Sequence, residues 1–311
     1  MKIFCHVPRE SWIVDRMGSE FSKHSSFNVD FENIHHDTNI IWLLAGWCWD
    51  QLPINVLQQK KVVCTIHHEV PWKFNKERKN NFMIRDEIVD EYLTYTEETK
   101  KLINSISKKP VTVMPHWINT TIWSRLEKES CRSELKLPNN KFIIGSFQRD
   151  TEGFDLKSPK LEKGPDIFIK KVLEISKIKP VYVVLAGWRR QYVISELNKH
   201  NIDYVYFELP DDQKINKLYN SLDLYIVSSR CEGGPQAIFE CAYLKTPVIT
   251  TRVGQHKFIT NQCKYNLDEI ANVNLINSAY NSIENNYKNI EHLLDSVHIK
   301  NYDNFFKGLI K

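Results

Sequence analysis

Short apolar runs separated by polar, helix-like stretches recur along most of the chain, the pattern of a parallel sheet whose strands alternate with covering helices. In the first third the runs are KIFCHV, NVDF, IIWLL, VVCTI, YLTY and VTVM. Between them Ser11 is placed to cap a helix running toward His24, and Glu97 to Ser107 reads as a helix closed by Lys108, Lys109 and Pro110. The pattern breaks at MPHWINTT, extended by Ile122 and Trp123. It restarts at Phe142 with FIIGSF, a helix after Gly164, VYVVLA, a helix from Arg189 to His200, YVYF, a helix through Leu218, and the strand LYIV. Two successive α/β series predict two facing domains with a ligand cleft between them. Past about residue 262 the chain is Asn-rich and helical, and no internal repeat or low-complexity segment is visible.

Composition narrows the function without naming it. With 311 residues the chain can build two cores, and 26% charged and 42% hydrophobic residues are ordinary for a globular protein. The net charge of +4 is small for a nucleic-acid binder, and residues 1 to 120 hold 15 Lys+Arg against 15 Asp+Glu. One local exception is KFNKERKNNFMIR at 73 to 85, which reads as a solvated helix or loop face or as a peripheral contact to an anionic membrane or charged acceptor. The stretch IIWLLAGWCW is too short to span a bilayer, and MKIFCHVPRE lacks the apolar core of an export signal. A cytoplasmic protein, at most peripheral at the inner membrane face, is the expectation. Seven cysteines without C-x-x-C spacing indicate neither a disulfide framework nor a zinc cluster. They read as small buried hydrophobes, with Cys231 the candidate for exposure.

The chemistry concentrates in residues 223 to 254, DLYIVSSRCEGGPQAIFECAYLKTPVITTRVG. A buried strand, a Gly-Gly-Pro turn, a helix and a second strand follow one another there, with Glu232 and Glu240 on either side of the turn. A parallel strand delivers its following loop to the carboxyl edge of the sheet, where open α/β folds bind ligands. Pro235 suits a first helical turn, and the amides of Gln236 and Ala237 would then point outward at a helix N-terminus that favours a phosphate. A carboxylate accepts two hydrogen bonds side by side, which matches the two donors of a vicinal diol. Two such acids around a phosphate turn suit a nucleotide sugar, with a ribose on one side and a hexose on the other.

The run E-G-G-P-Q-A-I-F-E-C-A followed by T-P-V-I-T-T resembles the signature of glycosyltransferase family four. That resemblance implies the α/β GT-B fold, two facing Rossmann-like domains with parallel sheets and a last helix that crosses back to the first domain. Boundaries of 1–118, 119–290 and 291–311 follow, with the acceptor side in the first domain and the nucleotide sugar in the second. The resemblance implies a role for Glu232 at the donor sugar and for Glu240 at the ribose, with Gly233, Gly234, Pro235, Gln236 and Ala237 around the diphosphate. It implies diphosphate contacts for Lys163, which stands in a K-G pair, and for Arg149, which is farther from Gly145 than the family's G-R spacing. Lys157 and Lys160 are rivals on the same loop. His67, at the end of VVCTIHHEV, matches a histidine facing donor sugar and acceptor, and the base is expected near Gly187 and Leu209.

His67, His68 and Glu69 make a poor metal site, since successive strand residues point to opposite faces. No D-x-D motif is present, so helix amides and Lys/Arg are expected to replace a divalent cation, and no cofactor is expected. The family is retaining, and no second carboxylate stands out as a nucleophile, which implies a front-face reaction. The turn HVPRESW lacks the Gly-Gly of many relatives, leaving Arg9 or Ser11 as substitutes. Trp12, Trp47, Trp49 and Trp72 read as core or edge packing more than as a sugar shelf. The function implied is transfer of a hexose from a uridine, then guanosine, diphosphate sugar to a glycan, lipid-linked or small-molecule acceptor. The alternatives are a nucleotide-sugar-binding protein without transferase activity and a GT-B epimerase or hydrolase.

Overall fold

The computed structural model describes residues 1–10 and 13–310, so the expected cap Ser11 and the side chain of Trp12 lie outside the described residues. The chain divides into two compact units, Met1–Asn119 with His292–Lys311, and Thr120–Glu291. No helix among the described residues is long and apolar enough to cross a membrane.

In the first unit the strands are Lys2–His6 (β1), Asn28–Asp30 (β2), Ile40–Leu43 (β3), Lys61–Ile66 (β4), Glu91–Thr94 (β5) and Val111–Val113 (β6). They form one parallel sheet in the order β2-β1-β3-β4-β5-β6. Its helices are Ile13–His24 (α1), Ile54–Leu57 (α2), Lys76–Asp86 (α3) and Glu97–Asn104 (α4). The two-residue period of a strand sends neighbouring side chains to opposite faces, and both faces are apolar here. Ile3, Cys5, Trp42, Val63 and Leu93 join Met17 and Phe21 of α1 on one face. Phe4, Ile41, Leu43, Val62, Cys64 and Tyr92 join Phe82 of α3 and Ile103 of α4 on the other. Thr96 and Asn75 accept the Thr99 and Arg78 amides at 3.1 and 3.0 Å, capping α4 and α3. The basic stretch at 73 to 85 is therefore mostly helix α3.

The second unit carries Lys128–Glu134 (α5), Phe142–Ser146 (β7), a small antiparallel pair Thr151–Glu152 (β8) and Ser158–Pro159 (β9), and Pro165–Ser176 (α6). Val181–Ala186 (β10), Gln191–Lys199 (α7), Tyr204–Phe207 (β11), Asp212–Ser221 (α8), Leu224–Val227 (β12), Ala237–Leu244 (α9), Val248–Thr250 (β13), Val273–Asn281 (α10) and Ile283–Ile290 (α11) follow. The sheet is parallel in the order β11-β10-β7-β12-β13. From β7 the chain winds outward through β10 and β11, then returns to the other side of β7 with β12 and β13. The crevice beside β7 and β12 is thus a topological switch point. Ile144, Val183, Leu185, Leu224, Ile226 and Ile249 pack against Phe168, Val172 and Ile175 of α6 and Leu275 and Ile276 of α10.

The last helix, Asp295–Gly308 (α12), belongs to the first unit. The Ile118 amide donates to Leu293 O at 2.8 Å and the Asp295 amide to Ile118 O at 2.9 Å, which starts the helix beside the end of the first series. Ile299, Tyr302 and Phe306 then enter the core around Phe21 and Trp42. Asp303 accepts from Ser25 Oγ at 2.5 Å and the Ser26 amide at 2.7 Å, tying the helix to the loop after α1.

Candidate active site

Loops leaving β7 and β12 meet at the switch point of the second sheet. From β12, Ser228 and Ser229 are buried, and the Ser229 carbonyl accepts the Thr251 hydroxyl at 2.6 Å, which ties this loop to the one after β13. Between β9 and α6 the segment Leu161–Lys163 makes a single 3₁₀ turn ending at Gly164. The Glu162 carbonyl receives the amides of Arg230 and Cys231 at 2.8 and 3.1 Å. Arg230 grips Asp166 with two nitrogens at 2.7 and 2.5 Å. Such a fork is geometrically specific and locks the two loops together.

Lys163 Nζ consequently lies 2.6 Å from Glu232 Oε1, which also accepts the Ser229 hydroxyl at 2.9 Å. The Glu232 carboxylate is 6% exposed and the lysine 21%. Gln148, just past β7, donates Nε2–H to the Lys163 carbonyl at 2.9 Å. The sheet edge therefore holds a buried carboxylate, an ammonium and two neutral polar side chains in one connected group.

Helix α9 begins at Ala237 with Gln236 before it, so Pro235 stands ahead of the first helical turn and not inside it. The Pro235 carbonyl accepts the Ile238 amide at 3.1 Å in a tight turn that precedes the α-helix. Its ring packs where a Cβ on Gly254 would lie, 2.6 Å from Pro235 Cδ, so the left-handed Gly254 (φ 54°) lets the loop after β13 close on the Gly234–Pro235 turn. Gly233 is buried, while Gly234, Pro235, Gln236 and Ala237 are half-buried. Glu240 is 9% exposed, and its Oε2 accepts the Tyr219 hydroxyl at 2.6 Å. Burial and the Glu240 charge push the Tyr219 phenol well above its usual range, so it stays a donor.

Among the described residues Arg149 makes no hydrogen bond or ion pair to Lys163 or Glu232. Its Nε–H donates to Thr151 O at 3.0 Å and its guanidinium lies over Trp188, 5.2 Å from the ring centroid. The next turn is held by Arg190, fully buried, which donates to Asp150 Oδ2 at 2.5 Å and to the carbonyls of Ser146 and Ala186. Of the rival lysines, Lys160 lies 3.8 Å from Glu162 and Lys157 is exposed. Gly187 (φ 94°) and Leu209 (φ 46°) sit past the ends of β10 and β11. The Gly187 carbonyl already receives the Tyr206 hydroxyl at 2.9 Å, and Leu209 is 70% exposed.

In the first unit, His67 follows β4 and is half-buried. Its Nε2–H donates to the Leu44 carbonyl at 2.9 Å, which leaves Nδ1 as the ring's acceptor. Trp47 lies 5.4 Å away, Tyr95 meets it edge-on at 5.2 Å, and His116 stacks on Tyr95 at 3.5 Å. Burial pushes the His67 imidazole down to about 4, so it is neutral at pH 7. His116 is lowered well below its usual value by burial and by His67, and its buried Nδ1 has no hydrogen-bond partner among the described residues. In the β1 turn Arg9 adopts the left-handed backbone (φ 55°) expected of a glycine, but its side chain is engaged by Glu32 at 2.9 Å and the Phe31 carbonyl at 3.1 Å. Trp49 is core at 6% exposure, whereas Trp47 and Trp72 are about half exposed, at 47% and 55%.

Gln148, Ser229, Tyr219 and Trp188 escape a reading by motif. Their one sequence signal is position, since Gln148, Ser229 and Trp188 all fall two residues past the ends of parallel strands. Residues 156–271 match the family model described as group 1 glycosyl transferases. Over 167 residues, 50% of this chain, the sequence is 24% identical to alpha-galactosylglucosyldiacylglycerol synthase of Streptococcus pneumoniae, and the match spans 41% of that protein's length. The fold is similar to sucrose-phosphate synthase from Thermosynechococcus elongatus, with a TM-score of 0.75, 13% identity and 99% of each chain covered. It is also similar to Anabaena Alr3699/HepE in complex with UDP and glucose, with a TM-score of 0.72, 12% identity, and 99% of this chain and 98% of that one covered. The architecture is that of the GT-B glycosyltransferases, and the segment that matches the group 1 transferases carries Lys163, Glu232, Glu240 and the Gly-Gly-Pro turn.

Proposed function

We propose that the chain is a retaining glycosyltransferase of the family-four kind, moving a hexose from a uridine diphosphate sugar, with guanosine second, to a saccharide, lipid-linked or small-molecule acceptor. The observation that carries this reading is the Lys163–Glu232 pair, part-buried at the switch point beside the Gly-Gly-Pro turn. Glu232 accepts hydroxyls of the donor sugar. Lys163 exchanges that carboxylate for the diphosphate as negative charge develops on the leaving oxygens, a contact stronger in the transition state than before it. Glu240, oriented by Tyr219, holds the ribose diol.

In the front-face reaction the bond from the anomeric carbon to the diphosphate breaks, the acceptor oxygen bonds to the same face, and the departing diphosphate takes the acceptor proton. Lys163 and the amides around Gln236 and Ala237 do the work of a divalent cation, so no metal is required. His67, neutral and with Nδ1 open to a donor, is assigned a sugar or acceptor hydroxyl. The test is release of nucleoside diphosphate from uridine and guanosine diphosphate hexoses with a panel of acceptors, in the presence of EDTA. Transfer with retained anomeric configuration is expected. Donor binding without turnover would support a binding protein, and turnover of donor alone an epimerase or hydrolase.

A further inference from the structure

Two guanidiniums converge on one exposed aromatic ring at the same sheet edge. Arg189 Cζ lies 4.7 Å and Arg149 Cζ 5.2 Å from the centroid of Trp188, which is 49% exposed. Neighbouring arginines are neutralised, Arg190 by Asp150 and Arg230 by Asp166. Arg149 and Arg189 have no carboxylate within ion-pair distance among the described residues. The Arg149 guanidinium is lowered from its usual value by burial and then by the Arg189 charge, against the smaller opposing pull of Glu152 and Glu162.

The fold maintains this repulsive arrangement at a cost. Arg189 takes a left-handed backbone (φ 57°), a conformation that is unfavourable for a non-glycine residue. Its carbonyl accepts the amides of both Asp150 and Thr151 at 3.1 Å, and the buried Arg190 fastens the next position. Arg189 Nε is buried with no hydrogen-bond partner among the described residues. A guanidinium stacked on a ring keeps its in-plane N–H donors available, and two such forks side by side suit a phosphate oxygen cluster.

We infer that Arg149, Trp188 and Arg189 form an oxyanion clamp that binds the phosphates of the nucleotide donor, with Arg189 a phosphate-binding residue beyond those of the Gly-Gly-Pro turn. The inference rests on the nucleotide-sugar reading of this sheet edge and assigns its unpaired positive charge. Lys163 is already neutralised by Glu232. The Arg149–Arg189 pair therefore supplies the attraction that first draws in a diphosphate, and anion binding relieves its repulsion.

The experiment is calorimetric titration of the full chain with UDP, GDP and inorganic pyrophosphate at low and at physiological salt. Arg189→Asn removes the charge with a residue that tolerates the left-handed backbone, so its thermal melt should match wild type without ligand. It should weaken UDP and pyrophosphate binding about tenfold at low salt and flatten the salt dependence, while Arg189→Lys restores part of the affinity. Unchanged pyrophosphate and UDP affinity in Arg189→Asn, or an unchanged salt slope, overturns the clamp, as does a wild-type protein that binds none of the three. Pyrophosphate binding that depends on Arg189, in a protein that transfers no sugar, would keep the clamp and remove the transferase reading.

Discussion

A Cβ placed on Gly164 would lie 1.9 Å from the carbonyl oxygen of Ser228. Backbone therefore touches backbone where the loop carrying Lys163 crosses the loop carrying Ser229 and Glu232. Gly164 also sits at φ 60°, so two independent constraints demand a residue without a side chain. Gly164→Ala should lower stability by about 1–3 kcal/mol and displace Lys163, cutting transfer far more than melting temperature alone would explain. Thermal melts with parallel rate measurements check this; a variant with wild-type stability and rate would refute the packing argument.

The Lys163–Glu232 contact makes a sharper forecast. Glu232→Gln preserves shape but removes the charge that accepts both Lys163 and Ser229, and should reduce kcat by about 100-fold or more while UDP still binds. Lys163→Met should also reduce kcat. Because the two groups touch, the double variant should fall short of the summed effects by about 0.5–3 kcal/mol. Full additivity in the cycle would show that they act separately.

Arg190 and Asp150 form an ion pair in which the side chains are 0% and 2% exposed. Truncating one partner strands the other charge in the interior. Arg190→Met should destabilise the second unit by about 3–5 kcal/mol, read by urea unfolding. A loss below about 1 kcal/mol would mean that Asp150 finds another partner or water.

The first unit should be acid-sensitive for a different reason. His67 is lowered to about 4 and His116 and His298 are also lowered, in each case chiefly by burial. An unfolded chain then binds more protons than the folded one between the ordinary histidine range near 6.5 and the depressed values. Stability must fall as pH drops through that window and recover above it. His116→Phe, which keeps an aromatic ring against Tyr95, should flatten the decline in melts between pH 7 and pH 4.5. An identical slope in the variant would assign the acid sensitivity to carboxylates.

Much of this protein is legible in its sequence. Each of the eleven strands of the two parallel sheets overlaps a run read from the sequence. The inner strands are apolar at successive positions because both their faces are covered, whereas the edge strand β2 (NVD) has Val29 as its one apolar residue. The pair at β8 and β9 is not legible, since two residues per strand leave no periodicity to detect. Arg149 shows the limit at the site. The family resemblance implies a diphosphate contact for both Arg149 and Lys163, but local spacing does not show that Arg149 lies over Trp188 while Gln148 bonds the Lys163 carbonyl. One residue of shift past a strand end reverses where a side chain points.

The chain's own pattern settled the α/β class, the order of its elements and the Glu232–Gly-Gly-Pro–Glu240 segment, because hydrophobic period, turn residues and helix starts act over a few residues. Tertiary structure decided which loops share an edge. Lys163 meets Glu232 across 69 positions of sequence, and Arg189 meets Arg149 across 40, since β7 lies between β10 and β12. Such meetings depend on strand order and on a backbone approach that glycine alone permits at residue 164, and neither is written in local spacing.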